Sequence, residues 1–234
     1  MENLSYVEKN LREVKEEIRK VAEKAGVKEP TLIAVTKSAT DEEVLELARL
    51  GVRAIGENRS SLFCARYELL HNEYPDMQFN FIGHLQTNKV KYIADKVSAI
   101  HSLGRQELAK EINRQAEKRG IKIPVLIEVN SGKEEAKSGV MPEDAIEFFE
   151  NLSQFEHISL VGVMTMAPDF DNEEEYRPYF RLTREIFDTI KARGGFDTES
   201  PILSMGMSDS YRVAIEEGST AVRIGRRLFL KQYK

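Results

Sequence analysis

Apolar residues recur at spacings of three and four through Leu4, Val7, Leu11, Val14, Ile18 and Val21. They form one stripe of an amphipathic helix over residues 4–25, which Gly26 would close. A short β-rich run, TLIAVT, follows at residues 31–36. The helical period then returns over residues 41–50, with Thr40 as the expected N-cap and Gly51 as the stop. This unit repeats along the chain. Apolar runs at 53–56, 78–83, 97–101, 123–129, 160–164, 202–205 and 221–224 join the first to make eight expected strands. Helical patterns at 60–74, 87–94, 105–119, 142–152, 174–193 and 209–217 lie between or beside them.

Strict alternation of strand and helix predicts a parallel sheet, and eight repeats predict its closure. The expected fold is therefore α/β, a single (β/α)8 TIM barrel. The extra N-terminal helix would cover the place where a helix after the last strand normally lies. An open doubly wound sheet is the alternative. No linker or shift in composition divides the chain, so residues 1–234 are expected to form a single domain.

Composition narrows the partners. A formal net charge of -5 argues against a broad electrostatic footprint for nucleic acid. The N-terminal segment is charged throughout, and no run of 18 apolar residues occurs, so a cytoplasmic protein with no membrane association is expected. Cys64 is the only cysteine, which excludes an intrachain disulfide and leaves it a packing role. The four histidines show no spacing of the HExxH kind, and no metal is expected.

In such a barrel, function gathers at the C-terminal ends of the strands. Lys37 directly follows TLIAVT, whereas most other lysines fall on helical patterns. Partly desolvated in the mouth and near other cations, it would offer a neutral amine to a carbonyl, which is Schiff-base chemistry. On this ground alone a surface lysine opening a loop is equally consistent. Near the C-terminus, Gly206, Met207 and Ser208 lead into an expected helix, and Gly225 and Arg226 follow the eighth strand. Barrels frequently bind phosphate with the loops after strands seven and eight, and Gly225 would let the backbone approach a ligand. Singly, Ser208 reads as a helix cap and Gly225 as a turn; together they point to a phosphorylated ligand. Three further polar clusters stand at strand ends: Glu57 with Asn58, His84 with Gln86 and Asn88, and Asn130 with Ser131, Lys137 and Ser138. His84 and His101 read more readily as hydrogen-bonding or packing residues than as acid or base.

The motifs AVTKSAT around Lys37, IGEN at 55–58, FIGHLQTNK at 81–89, HSL at 101–103, VNSGKEEAKSGV at 129–140, GVMTMAP at 162–168 and SMGMSDSYRVAIEEGSTAVRIG at 204–225 together resemble the pyridoxal phosphate homeostasis proteins. The match is dispersed over nearly the whole chain. The resemblance implies a barrel similar to the N-terminal barrel of alanine racemase, carrying pyridoxal 5'-phosphate (PLP) on Lys37. It further implies that Ser208, Gly225 and Arg226 hold the phosphate and that Arg223 faces the pyridine nitrogen. Asn58 and Met205 would line the ring, and Met164 and His84 the pocket mouth. An arginine cannot give up its proton, so the ring nitrogen would stay unprotonated and carbanion chemistry would be restrained.

The implied function is a PLP carrier in intracellular PLP homeostasis, with little or no catalysis, serving PLP-dependent apo-enzymes as a monomer or weak homodimer. Two alternatives use the same lysine: an amino-acid racemase, which needs a second base that alanine racemase draws from an additional β domain not expected here, and a cofactor-free Schiff-base aldolase. The sequence departs from the family where RSSLFCARYELL follows IGEN and where Leu230 follows Phe229. These changes bear on local packing and partner contacts more than on the cofactor site.

Overall fold

The computed structural model describes residues 4–231. It begins with α1 (Ser5–Ala25), then alternates β1 (Thr31–Val35), α2 (Asp41–Arg49), β2 (Ala54–Glu57), α3 (Ser60–Leu70), β3 (Gln78–Phe81), α4 (Val90–Ile93) and β4 (Ala99–Leu103). There follow α5 (Gln106–Glu117), β5 (Ile123–Val129), α6 (Ala145–Asn151), β6 (Ile158–Thr165), α7 (Arg177–Ala192), β7 (Ile202–Ser204), α8 (Tyr211–Glu216), β8 (Ala221–Ile224) and α9 (Arg226–Phe229). All eight expected strands form, and they close in sequence order. The closing pair is parallel, with Thr31, Leu32, Ile33 and Ala34 opposite Ala221, Val222, Arg223 and Ile224. That pairing rules out the open sheet.

Helix boundaries differ from the pattern for local reasons. The segment expected as a helix over 87–94 is a 3₁₀ turn running into the four-residue α4. The last long helix starts late, because a 3₁₀ turn precedes α7 and Pro178 sits in its first turn. Thr40 caps α2 as expected, in a capping box: Glu43 N–H donates to its hydroxyl, and its own N–H donates to Glu43 Oε2 at 2.6 Å.

Alternate strand positions divide the core. Outward residues such as Phe79, Phe81, Leu103 and Met205 pack beneath the surrounding helices. On the side of the closing pair, Ala34, Val222 and Ile224 are covered by Val7, Leu11, Val14, Ile18 and Ala22 of α1. At about 1.5–3 kcal/mol for each fully buried large aliphatic side chain, this stripe seals the seam more firmly than helix propensity alone would. Helix α1 therefore takes the position that the pattern assigned to it. Inside the barrel, Ile33, Ala54 and Ala221 form one small apolar group, and Ala99, Leu126 and Met164 another. Above them the filling turns polar, with Asn80, His101, Ser204 and Arg223 all buried.

Strand β6 carries one irregularity. Its register against β5 passes from Val125↔Leu160 to Leu126↔Gly162, which leaves Val161 as an extra residue. Such a bulge reverses which side chains face inward beyond it.

Candidate functional site

The loop that carries Lys37 is tied down at several points. Thr36 N–H donates to Gly56 O and Ala39 N–H to Thr36 O. The Thr36 hydroxyl donates to Glu57 Oε1, and the buried Arg66 reaches back from α3 to donate to Ala39 O at 2.6 Å and to the Asp41 carboxylate. Burial drives the Glu57 carboxyl upward from the ordinary glutamate range, opposed by Thr36 and by the Arg66 and Lys37 charges. Lys37 itself stands exposed at the rim rather than partly desolvated, which corrects the sequence-based expectation. Its Nζ has no ion-pair or hydrogen-bond partner among the described residues, so it is presented to the mouth.

Lys37 borders a cavity of about 400 Å³ at the C-terminal ends of the strands, within the range of small-molecule sites. Ser208, Arg223, Gly225 and Arg226 line the same cavity, as do Met166, Met207 and Lys137. Five of the expected residues are thus brought together. Ser208 is buried in the turn after β7, where the Ser210 hydroxyl accepts from Met207 N–H and Met207 O accepts from the Ser210 and Tyr211 amides. Gly206 allows this turn at φ +91°, and a Cβ there would lie 2.5 Å from Ala214 Cβ. At Gly225, which lines the cavity, a Cβ would press on Val35 O at 3.0 Å. Arg226 pairs with the Asp209 carboxylate, which links the loops after β7 and β8.

Arg223 forms the inner wall. Its Nη1 donates to Ser204 O and Ser204 Oγ at 2.9 and 2.7 Å, and its Nη2 donates to Thr165 O at 2.8 Å. Burial pulls its pKa down to about 10, with Glu128 acting the other way, so it remains a cation at neutral pH. Behind it, His101 is fully buried within β4, its Nδ1 3.2 Å from Ser204 Oγ and its Nε2 3.2 Å from Asn80 Oδ1. Burial, and then the Arg223 charge, lower its pKa to about 3.

The sign of the resulting pH dependence is fixed. The unfolded chain takes up a proton on His101 below about pH 6.5, while the native state resists until about pH 3. The contribution of His101 to stability is present above that window and is lost as pH falls through it, with a slope of at most about 1.4 kcal/mol per pH unit. His101→Gln is expected to flatten this part of the urea-unfolding stability profile. Parallel profiles for the two proteins would refute the assignment.

Four expected residues do not reach the Lys37 cavity. Met205 faces outward into the core, because Ser204 takes the inward position at the end of β7. Met164 is fully buried beside Ala99 and Leu126, one layer below the mouth. Met166, two positions and about 6.6 Å further along the chain, is the methionine at the opening, 41% exposed. Asn58 and His84 line a neighbouring hollow of about 220 Å³. His84 also borders a hollow of about 520 Å³ with Glu128, Ser138, Lys137 and Met166, the last two being shared with the Lys37 cavity. Met166, Asp169 and Tyr176 line the cavity without having been assigned to it from the sequence; the parity that turns residue 164 inward is the signal that would have found Met166. A separate hollow of about 290 Å³ near Lys122, Ile158 and Leu160 lies at the opposite end of the barrel, which reads as structural. Among the described residues, no cluster of three or more His, Cys, Asp or Glu is arranged to hold a metal ion, and no helix is long and apolar enough to cross a membrane.

The fold is a barrel of the alanine racemase N-terminal class: a family model described as alanine racemase, N-terminal domain, matches residues 9–232. The pyridoxal phosphate homeostasis protein of Aquifex aeolicus is 45% identical over 221 residues, covering 94% of this chain and 95% of that one. A protein of Bifidobacterium adolescentis described as unknown has a crystal structure that superposes with a TM-score of 0.92 at 33% identity, over 98% of this chain and 97% of its own. PipY of Synechococcus elongatus, solved with PLP bound, is 28% identical with a TM-score of 0.77, covering 86% and 92% of the two chains. The chain belongs to the pyridoxal phosphate homeostasis protein family.

Proposed function

We propose that this protein is a non-catalytic carrier of PLP in intracellular cofactor homeostasis, holding the cofactor as a Schiff base on Lys37. The observation that carries this reading is the meeting of Lys37, Ser208, Arg223, Gly225 and Arg226 around one cavity. Its residues fit the group. An unpaired amine stands at the rim, and the loops after β7 and β8 line the same cavity through Ser208, Gly225 and Arg226. Ser208 and the backbone at Gly225 would take the phosphate, with Arg226 adding charge at the edge. Arg223 would face the ring.

PLP supplies an electrophilic aldehyde and an electron-accepting ring. The chain's own groups favour holding over turnover. Arg223 stays charged, and its guanidinium donates hydrogen bonds and accepts none, so it offers a ring nitrogen no proton to take. The relatives named for homeostasis, rather than for racemisation, support the same reading. The carrier would be cytoplasmic, act as a single domain and pass PLP to apo-enzymes.

Titrating purified protein with PLP is expected to give a yellow, saturable species. Ser208→Ala is expected to weaken retention about tenfold, the worth of one hydrogen bond to an anion. Unchanged affinity in that variant would remove Ser208 from the phosphate site. Sustained racemisation of alanine by the pure, loaded protein would overturn the carrier reading.

A further inference from the structure

The guanidinium on the inner wall of the cavity is held by a chain of hydrogen bonds whose direction can be assigned at every link. Asn80 Nδ2 donates to Ile55 O at 3.2 Å, which turns Asn80 Oδ1 toward His101. An amide oxygen only accepts, so His101 Nε2 must carry the hydrogen. The lone pair of Nδ1 then faces Ser204 Oγ at 3.2 Å. Ser204 receives an N–H from Arg223 Nη1 at 2.7 Å, and its single hydroxyl hydrogen goes to His101. The guanidinium is thereby bound directly to β6 and β7, and through Ser204 to β4 and β3.

We propose that His101 is a positioning residue: through Ser204 it sets the plane of the Arg223 guanidinium that faces the cavity, and it does so as the neutral Nε2–H tautomer. The effect on bound PLP rests on the cofactor reading above; the geometry itself does not. A protonated imidazole would have no lone pair on Nδ1 to accept the Ser204 hydroxyl hydrogen, and would place two cations side by side at full burial. Among the described residues, the charged group that acts on His101 is Arg223, and Arg223 is in turn influenced by Glu128. Burial holds the His101 pKa far below neutrality, which accords with this tautomer.

Two substitutions separate positioning from mere packing. In His101→Asn the amide oxygen stands near the site of Nδ1 and still accepts from Ser204, whereas His101→Gln keeps a donor near Nε2 and loses the acceptor facing Ser204. In cofactor-free wild-type protein, ¹⁵N NMR is expected to show the Nε2–H tautomer unchanged from about pH 8 to about pH 5, with separate Nη resonances for a rotationally restricted Arg223. Those Nη resonances are expected to merge in His101→Gln and stay apart in His101→Asn. With PLP added, His101→Gln is expected to bind on the order of tenfold more weakly and with a shifted visible maximum, and His101→Asn to stay within about threefold of wild type.

An Nδ1–H tautomer, or Nη resonances unaffected by His101→Gln, would overturn the proposal. So would a His101→Gln protein with wild-type affinity and spectrum. If wild-type protein took up no PLP at all, the cofactor reading would fall, and the NMR results would still decide the role of His101.

Discussion

Replacing Lys37 by alanine is expected to leave a folded protein that remains colourless with PLP and gains no covalent adduct on borohydride reduction. The fold should survive because Lys37 is exposed and its side chain makes no contact that holds the loop. The loop is instead fixed by Thr36, Ala39 and Asp41 through Glu57 and Arg66, and α2 is started by the Thr40 capping box. Loss of the covalent link leaves only phosphate and ring contacts, so retention on a desalting column should fall on the order of a hundredfold or more. Lys37→Arg should fare no better, since a guanidinium does not form a Schiff base at neutral pH. Mass spectrometry of the reduced wild-type protein should place the adduct on the peptide containing residue 37. An adduct of equal yield in Lys37→Ala, or one located on Lys137 in wild type, would transfer the role to another amine of the same cavity.

The largest expected loss of stability comes from Gly162→Ala. A Cβ at this position would lie 2.0 Å from Ile202 O and 2.9 Å from its carbonyl carbon. Both atoms are backbone of β7, which pairs with β6 at this point. No side-chain rotation relieves such a contact, and a closed barrel has no free edge toward which β7 could move. The bulge at Val161 sets this approach, so the glycine is needed by the irregularity and not by strand geometry in general. The variant is expected to lose about 3 kcal/mol or more in urea unfolding, with proportionate loss of soluble protein. Gly51→Ala, with open space around its Cβ but φ +85°, should lose less, because only its backbone is strained. Equal costs for the two would show that the β6–β7 contact is softer than the structure indicates.

The architecture was legible because each repeat carries its own signal: a strand-length apolar run, then a helical period. Closure followed from the count of eight. The placement of Lys37, Ser208, Gly225 and Arg226 followed from the same rule, that residues just past a strand face the mouth. What escaped notice depends on strand parity. A fully apolar run such as VGVMT does not reveal which side chains face inward, and the bulge at Val161 reverses them midway. The resemblance puts Met164 at the pocket mouth and Met205 against the ring, whereas the first fills the barrel and the second faces the helices. The Asn80–His101–Ser204–Arg223 chain draws on four strands, so its members become neighbours only once the register is known. Arg66 posed the opposite difficulty. Within a helical pattern a lone arginine reads as solvent-facing, yet here it is 3% exposed and grips the loop of Lys37.

The seam between β8 and β1 has a bearing on how the molecule is made. Helix α1 is synthesised first, but its apolar stripe rests on α8, α9 and the last strand, and Asn10 Nδ2 donates to Leu228 O and Leu230 O. Until those late residues have left the ribosome, the stripe is covered only in part, by Ala34, Leu47 and Val52, and β1 lacks its β8 partner. A nascent chain stalled before β8 would therefore carry an exposed apolar surface at each side of the gap, and protection from aggregation would come only once α8, β8 and α9 had folded against α1 and β1.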